Sequence, residues 1–493
     1  MSYGQKEHLE PCGTVSQRSD WLKKYQKNPT AYPTRSDEIL WVPMSVTLVA
    51  DGNGNGLYSE RALHEAICRL NSDFSETNIQ FYLGAPIRYL KNTAYAQHTD
   101  ILVGAQMMFE NNLPDMINNY VMVSAAGNCG YNLPYAGIAL STNCMGADDH
   151  TWAHEIGHNL SLPHPFLGWE GGPGINGVGH NYNEPAPEKV TYDYTYFQDT
   201  LILDTLIVDT TYVEKIDGSN CTFAADGFCD TKPDYIASRW NCDENSNGFT
   251  EQTDPNGEKF YSDGSLFMSY ALDNCSNRFT EDQIAAMRAN LIDEKPSYLG
   301  NENVIDPIPD GEVAVVTPEE LEVVYFEDVY IEWEPVENAT AYTIQVTKTP
   351  TWGLTVFDSI VTQPNVVIDE MRFKNSKYYF RIKALNEYRF CNDFHVYGSF
   401  ESTDTQTSVE DNALATIKVQ PSVLSSGQSL NIINPENHQV DLFVTDIVGN
   451  KFYQDDQFFG SQRVTTQSWP AGVYLVNMQM GTAVATQKIV ITK

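Results

Sequence analysis

Basic residues are scarce in this chain. Lys and Arg together number 30 against 65 Asp and Glu, a formal net charge of −35 over 493 residues. So acidic a surface repels phosphate, which argues against nucleic acid and anionic membrane as partners. Long apolar runs are missing as well. None reaches the roughly 18 residues of a membrane helix, so no transmembrane segment is expected. The first residues, MSYGQKEHLEPCG, hold no apolar h-region. Either the protein is cytosolic, or a signal peptide has been removed ahead of them. Also absent is any CxxC pair, which argues against a structural thiolate zinc site.

The cysteines that are present favour export. There are nine: Cys12, Cys68, Cys129, Cys144, Cys221, Cys229, Cys242, Cys275 and Cys391. Cys129 and Cys144 bracket a short glycine-containing loop, and Cys221, Cys229, Cys242 and Cys275 lie in a stretch poor in regular structure. Disulfides are used in that way by exported proteins, so a secreted or cell-surface location is expected, with an odd thiol left over. Hydrophobic content is 42%, enough for packed cores. The length suggests about three or four domains.

From residue 40 to 300 the chain reads as mixed α and β. LWVPMSVTLVA is a buried strand, and SERALHEAICRLNSDF is a helix with Ser59 as N-cap. GNENVIDPIPDGE is a linker of turn formers. Short alternating strands follow over 307–405, a second linker (STDTQTSVEDN) after them, and β strands again over 413–493. The fold class expected is an α/β (α+β) domain at 40–300, behind an N-terminal segment 1–39, followed by two all-β sandwiches.

Residues 151–164, TWAHEIGHNLSLPH, carry the chemistry. His154 and His158 are four apart, so they project from one helix face and reach one zinc ion. Glu155 stands beside them as a general base. Ser161 and Pro163 stop the helix, and the chain brings His164 back as a third ligand. Three protein ligands leave a fourth position for water, the mark of a catalytic zinc site.

Downstream, GSLFMSYALDNC holds Met268 and Tyr270. Together with HExxH and the third histidine this resembles the metzincin pattern, in which a methionine turn underlies the histidines. CTFAADGFCDTKPDY, FMSYALDNCSNRFTEDQIAAMR and LNSDFSETNIQFYL resemble the pappalysin family over about residues 40–300. The resemblance implies a zinc endopeptidase acting on protein or peptide substrates, with Met268 as the floor and Tyr270 hydrogen-bonding the oxyanion. The metzincin glycine is Ser161 here, and serine takes the left-handed turn at a cost of about 1–2 kcal/mol. A distant glutamate as third ligand (Glu184, Glu188 or Glu214) is the weaker alternative. His180 is expected to be a surface or packed residue.

IEWEPVENATAYTIQV with YYFRIKALN resembles a fibronectin type III domain, with Trp333 in its core and Tyr378 near the start of its penultimate strand. VTDIVGNKFY, AGVYLV and KIVITK resemble the type IX C-terminal sorting domain, which implies the type IX secretion machinery as a partner. The usual Pro-Asn-Pro at its start is only VQPSV here. CDENSNGFTEQTD has Asp243, Asn245, Asn247, Glu251 and Asp254 at calcium-loop spacing, so Ca2+ is a second candidate cofactor beside Zn2+. DGNGNG at 51–56 starts in the same way but has Ala62 at the twelfth position, and reads as a turn. For Cys12 a disulfide is favoured, with Cys68 as a candidate partner and Cys391 as a candidate odd thiol. The alternative is a latency switch, in which its thiolate occupies zinc's open position, as in several metzincins. The rival to peptidase function is a surface adhesin whose protease-like domain only binds.

Overall fold

The structure, a computed structural model, describes residues 9–14, 17–34, 37–134, 136–170, 180–196, 205–300, 308–405, 414, 416–435, 437–480 and 483–493. The two expected linkers lie largely outside these residues. The chain forms two compact units, one of residues 1–308 with 385–392, the other of 309–384 with 393–493.

The first unit runs β1 (Glu10–Cys12), α1 (Asp20–Lys27), β2 (Leu40–Ala50), α2 (Glu60–Asp73), β3 (Ile79–Leu83), β4 (Arg88–Lys91), α3 (Thr93–Ala96), β5 (Gln97–His98), α4 (Ile101–Asn111), β6 (Ile117–Met122), β7 (Ser124–Ala125), β8 (Asn128–Leu133), β9 (Gly137–Ser141) and α5 (Thr151–Asn159). The hairpins β10 (Lys189–Tyr196) with β11 (Thr205–Tyr212) and β12 (Asn247–Thr253) with β13 (Lys259–Asp263) follow, then α6 (Glu281–Asp293). One mixed sheet orders β3-β2-β6-β9-β8-β7-β5, with β1 added to β8 and β4 to β2.

All eleven residues of β2 are buried, as a strand apolar on both faces must be. Its alternate residues Leu40, Val42, Met44, Val46 and Leu48 pack with side chains of α1, α2, α5 and α6, whereas Val49 packs with α4 residues on the opposite face. Helices therefore cover both faces. Ser59 caps α2, and Thr280 with Gln283 forms a capping box on α6.

Four disulfides form: Cys68–Cys391, Cys129–Cys144, Cys221–Cys229 and Cys242–Cys275. Cys12 is the free cysteine and it is buried. The expected Cys12–Cys68 bond is thus corrected, and Cys391 is not the odd thiol. The reason is the loop 385–392, which belongs to the first unit. There Tyr388 stacks on Tyr82 with ring centres 4.4 Å apart, and Cys391 reaches α2.

The second unit holds two pairs of sheets, each pair a three-stranded and a five-stranded sheet. In the first pair Trp333 meets Tyr342 across the layers, and both Trp333 and Tyr378 are fully buried. The Tyr378 hydroxyl donates to the Phe373 carbonyl at 2.6 Å and accepts its N–H at 2.8 Å. In the second pair Leu430, Ile432 and Val464 of one sheet share a core with Leu442, Val444 and Val476 of the other. No helix among the described residues is long and apolar enough to cross a membrane.

Candidate metal centre

Helix α5 lies against β8 and β9, and eight of its nine residues, Thr151 to His158, are buried. It ends in a Schellman turn. The Ser161 N–H donates to the His158 carbonyl at 3.0 Å and the Leu162 N–H to the Gly157 carbonyl at 2.9 Å. That turn needs a left-handed residue, and Ser161 takes it at φ +75°. Asn290 of α6 donates to the Ser161 hydroxyl at 3.0 Å, a contact a glycine could not accept. The chain then doubles back and delivers His164.

The three imidazoles converge. Their Nε2 atoms lie 3.0–3.1 Å from one another. Each Nδ1 has an acceptor: the Phe267 carbonyl for His154 at 2.7 Å, the Leu162 carbonyl for His158 at 2.8 Å and the Glu170 carboxylate for His164 at 3.0 Å. An Nδ1 facing a carbonyl or carboxylate carries the ring proton, so the Nε2 atoms present bare lone pairs to one another. Burial holds the rings neutral, pushing His154 down to about 4 and the other two well below their usual range. Nitrogens bound to one tetrahedral zinc stand about 3.3 Å apart. The donor set therefore fits Zn2+. Among the described residues the metal-competent cluster is these three histidines together with Cys12.

Met268 is fully buried against α5 at Gly157. A side chain at Gly157 would collide with its sulfur, which explains glycine inside the motif. Met268 also follows Phe267, whose carbonyl orients His154. Glu155 is completely buried beside the ligands, and burial raises its carboxyl to about 8. Its Oε2 accepts the Thr14 hydroxyl at 3.2 Å.

The N-terminal segment runs through this site. β1 pairs parallel with β8, and the Gly13 N–H donates to the Gly130 carbonyl at 2.8 Å. Cys12 places its sulfur in the histidine cluster, and its thiol is pushed well up by burial and then by Glu155. The Tyr270 hydroxyl, expected to face substrate, donates to the Cys12 carbonyl at 3.2 Å.

The acidic set is not brought together. Asp243 accepts from the N–H groups of Asn245 and Asn247, its own neighbours. Asn247–Thr253 is then a strand, which carries Glu251 into an ion pair with Lys259. Asp254 lies beyond that strand and accepts from the Asn256 and Glu258 N–H groups. The residues expected as a calcium loop, Asp243, Asn245, Asn247, Glu251 and Asp254, fall in two separate turns joined by a strand. Among the alternative ligands, Glu214 is buried and interacts with Asp226 rather than the histidines, and Glu188 pairs with Lys215. His180 packs between Trp169 and Tyr182.

Sequence reasoning missed Thr14 and Glu170. Glu170 carried a signal, a lone carboxylate six residues after His164 in a stretch otherwise apolar and glycine-rich. Thr14 carried none.

Residues 426–492 match the family described as "Secretion system C-terminal sorting domain". They are a sorting domain. The protein is accordingly an exported one, secreted or held at the cell surface. No curated protein matches the chain. Among solved structures, a mutant of Tannerella forsythia promirolysin is similar at 16% identity and TM-score 0.37, over 58% of this chain and 95% of that one. A "Biofilm associated protein - BSP domain" is similar at 15% identity and TM-score 0.18, over 37% of this chain and 29% of that one. At such TM-scores neither likeness carries an argument about this chain.

Proposed function

We propose that the protein is an exported zinc endopeptidase of metzincin, pappalysin-like type, followed by a fibronectin-like sandwich and a type IX sorting domain. The convergence of three buried, unprotonated Nε2 atoms beside the Glu155 carboxylate is the observation that carries this reading. A zinc ion held by His154, His158 and His164 supplies Lewis acidity, polarising the scissile carbonyl and acidifying a water toward about 7. Glu155 takes the proton of the attacking water and passes it to the leaving amine. Its place beside the ligands suits both steps. The Tyr270 hydroxyl, once released from the Cys12 carbonyl, donates to the oxyanion of the tetrahedral species. With β1 gone, the backbone of β8 is free to align a peptide by strand addition.

Residues 10–14 then act as a plug. Cys12 occupies the ligand cluster, Thr14 holds Glu155 and the Cys12 carbonyl holds Tyr270. One short segment thus engages the ligands, the base and the oxyanion donor.

The decisive experiment compares the parent and Glu155→Gln, each freed of residues 1–16 so that the plug is lost and α1 is kept, on a peptide library. The parent should cleave and hold one zinc. The variant should hold the same zinc and cleave at background. A parent that binds zinc and cleaves nothing would leave the domain a binding module, the adhesin alternative.

A further inference from the structure

Four turns in this chain share one hydrogen-bond scaffold: residues 51–55, 243–247, 254–258 and 446–450. In each, Oδ1 of the leading aspartate accepts the N–H groups two and four residues on, at 2.8–2.9 Å. In each, the aspartate N–H donates to the carbonyl of the fifth residue, and its carbonyl accepts the N–H of the fourth. The fourth residue is left-handed every time: Gly54 at φ +89°, Ser246 at +60°, Gly257 at +85° and Gly449 at +92°.

The scaffold uses none of the side chains at its second and third positions. Three of the turns fill these with Gly52-Asn53, Glu244-Asn245 and Pro255-Asn256, residues suited to water or to a tight bend. The fourth presents Ile447 and Val448, which are 66% and 82% exposed. The turn would close equally well with polar residues there, as its three counterparts do. Two adjacent, largely exposed aliphatic side chains on a rigid tip set this turn apart from its three counterparts.

The tip lies inside the residues matched to the sorting domain, between the strands Val440–Asp446 and Lys451–Phe458. It is too small to hold two copies of the chain together. Burying both side chains removes about 200 Å² from water, whereas a stable dimer buries roughly 1,200 Å² or more. A net charge of −35 also opposes self-association. A small, stiff apolar knob suits a pocket in a larger receptor, because the turn is already ordered and loses little freedom on docking. We propose that Ile447 and Val448 are the apolar knob by which the export machinery grips this domain, seated in an apolar pocket of its receptor. The proposal rests on the sorting reading of residues 426–492.

The full chain is tested in a bacterium with a type IX system, in four versions. These are the parent, a deletion of 426–493, Ile447→Glu with Val448→Asn (the pair found at Glu244-Asn245), and Ile447→Leu with Val448→Leu. The deletion should be retained in the periplasm. The Glu/Asn version should melt with the parent and yet be exported at least tenfold less, and the Leu/Leu version should be exported like the parent. If the charged pair lowers the melting temperature, Ile447→Ser with Val448→Ser replaces it. Normal export of the polar version beside a retained deletion overturns the knob and leaves the sorting role standing. Normal export of the deletion overturns both. A concentration-dependent dimer of the parent that the polar version dissolves assigns the tip to a second copy and also overturns the proposal.

Discussion

In residues 154–164 three imidazoles turn their Nε2 atoms toward one another. In residues 243–254 two aspartates turn their Oδ1 atoms toward their own backbone. Both stretches have ligand spacing, and the difference lies in what the local backbone leaves free. On α5 the helix and its Schellman turn close without drawing on a histidine Nε2, so those atoms are available to a metal. At Asp243 the turn leaves two N–H groups open, and the aspartate closes them itself. The turn at Asp243 therefore closes on the aspartate itself.

The largest test of that contrast is His158→Ala. It should abolish zinc binding and bring cleavage to background, while Asp243→Ala leaves the rate of the processed enzyme within about twofold, since it touches no group near the reacting atoms. Equal loss in both variants would break the comparison.

Next in size is Cys12→Ala in the unprocessed chain. If the plugged state is at least about nine-tenths populated, freeing the site should raise cleavage about tenfold or more. An unchanged rate means that the thiol does not restrain the site. Alkylation without reductant, read by mass spectrometry, should leave no Cys12-containing cross-linked peptide.

Gly157→Ala probes the floor. Alanine gains about 1 kcal/mol of helix propensity, but a methyl group driven into the Met268 sulfur costs about 1–3 kcal/mol of overpacking. The denaturant midpoint should fall, and a rise would show that Met268 moves aside freely.

The smallest effect is expected from Asp243→Ala on stability, a loss of about 1 kcal/mol for its turn hydrogen bonds. The melting temperature should drop equally with and without calcium. A drop seen only with calcium would restore the loop as a cation site.

Much of the centre was legible along the chain because its rules are local. Four-residue spacing puts His154 and His158 on one helix face whatever surrounds them. Ser161 and Pro163 end the helix, and GSLFMSYALDNC pointed to Met268 and Tyr270. Strands such as Leu40–Ala50 declared themselves by a mostly apolar run. The acidic loop is less legible because Asp-x-Asn-x-Asn serves equally well as a calcium loop and as a self-bonded turn, and the strand that follows is set by pairing with Lys259–Asp263.

Local periodicity and spacing thus determined the helix, its stop and the three histidines, since each depends on residues within one or two turns. Tertiary structure decided that Cys12 and Thr14 lie across the site, that Cys68 pairs with Cys391 over a separation of 323 residues, and that Ile447 and Val448 stay uncovered. These depend on which surfaces meet once the sheets and helices have packed, and packing joins residues through buried area and paired hydrogen bonds, which sequence distance does not encode.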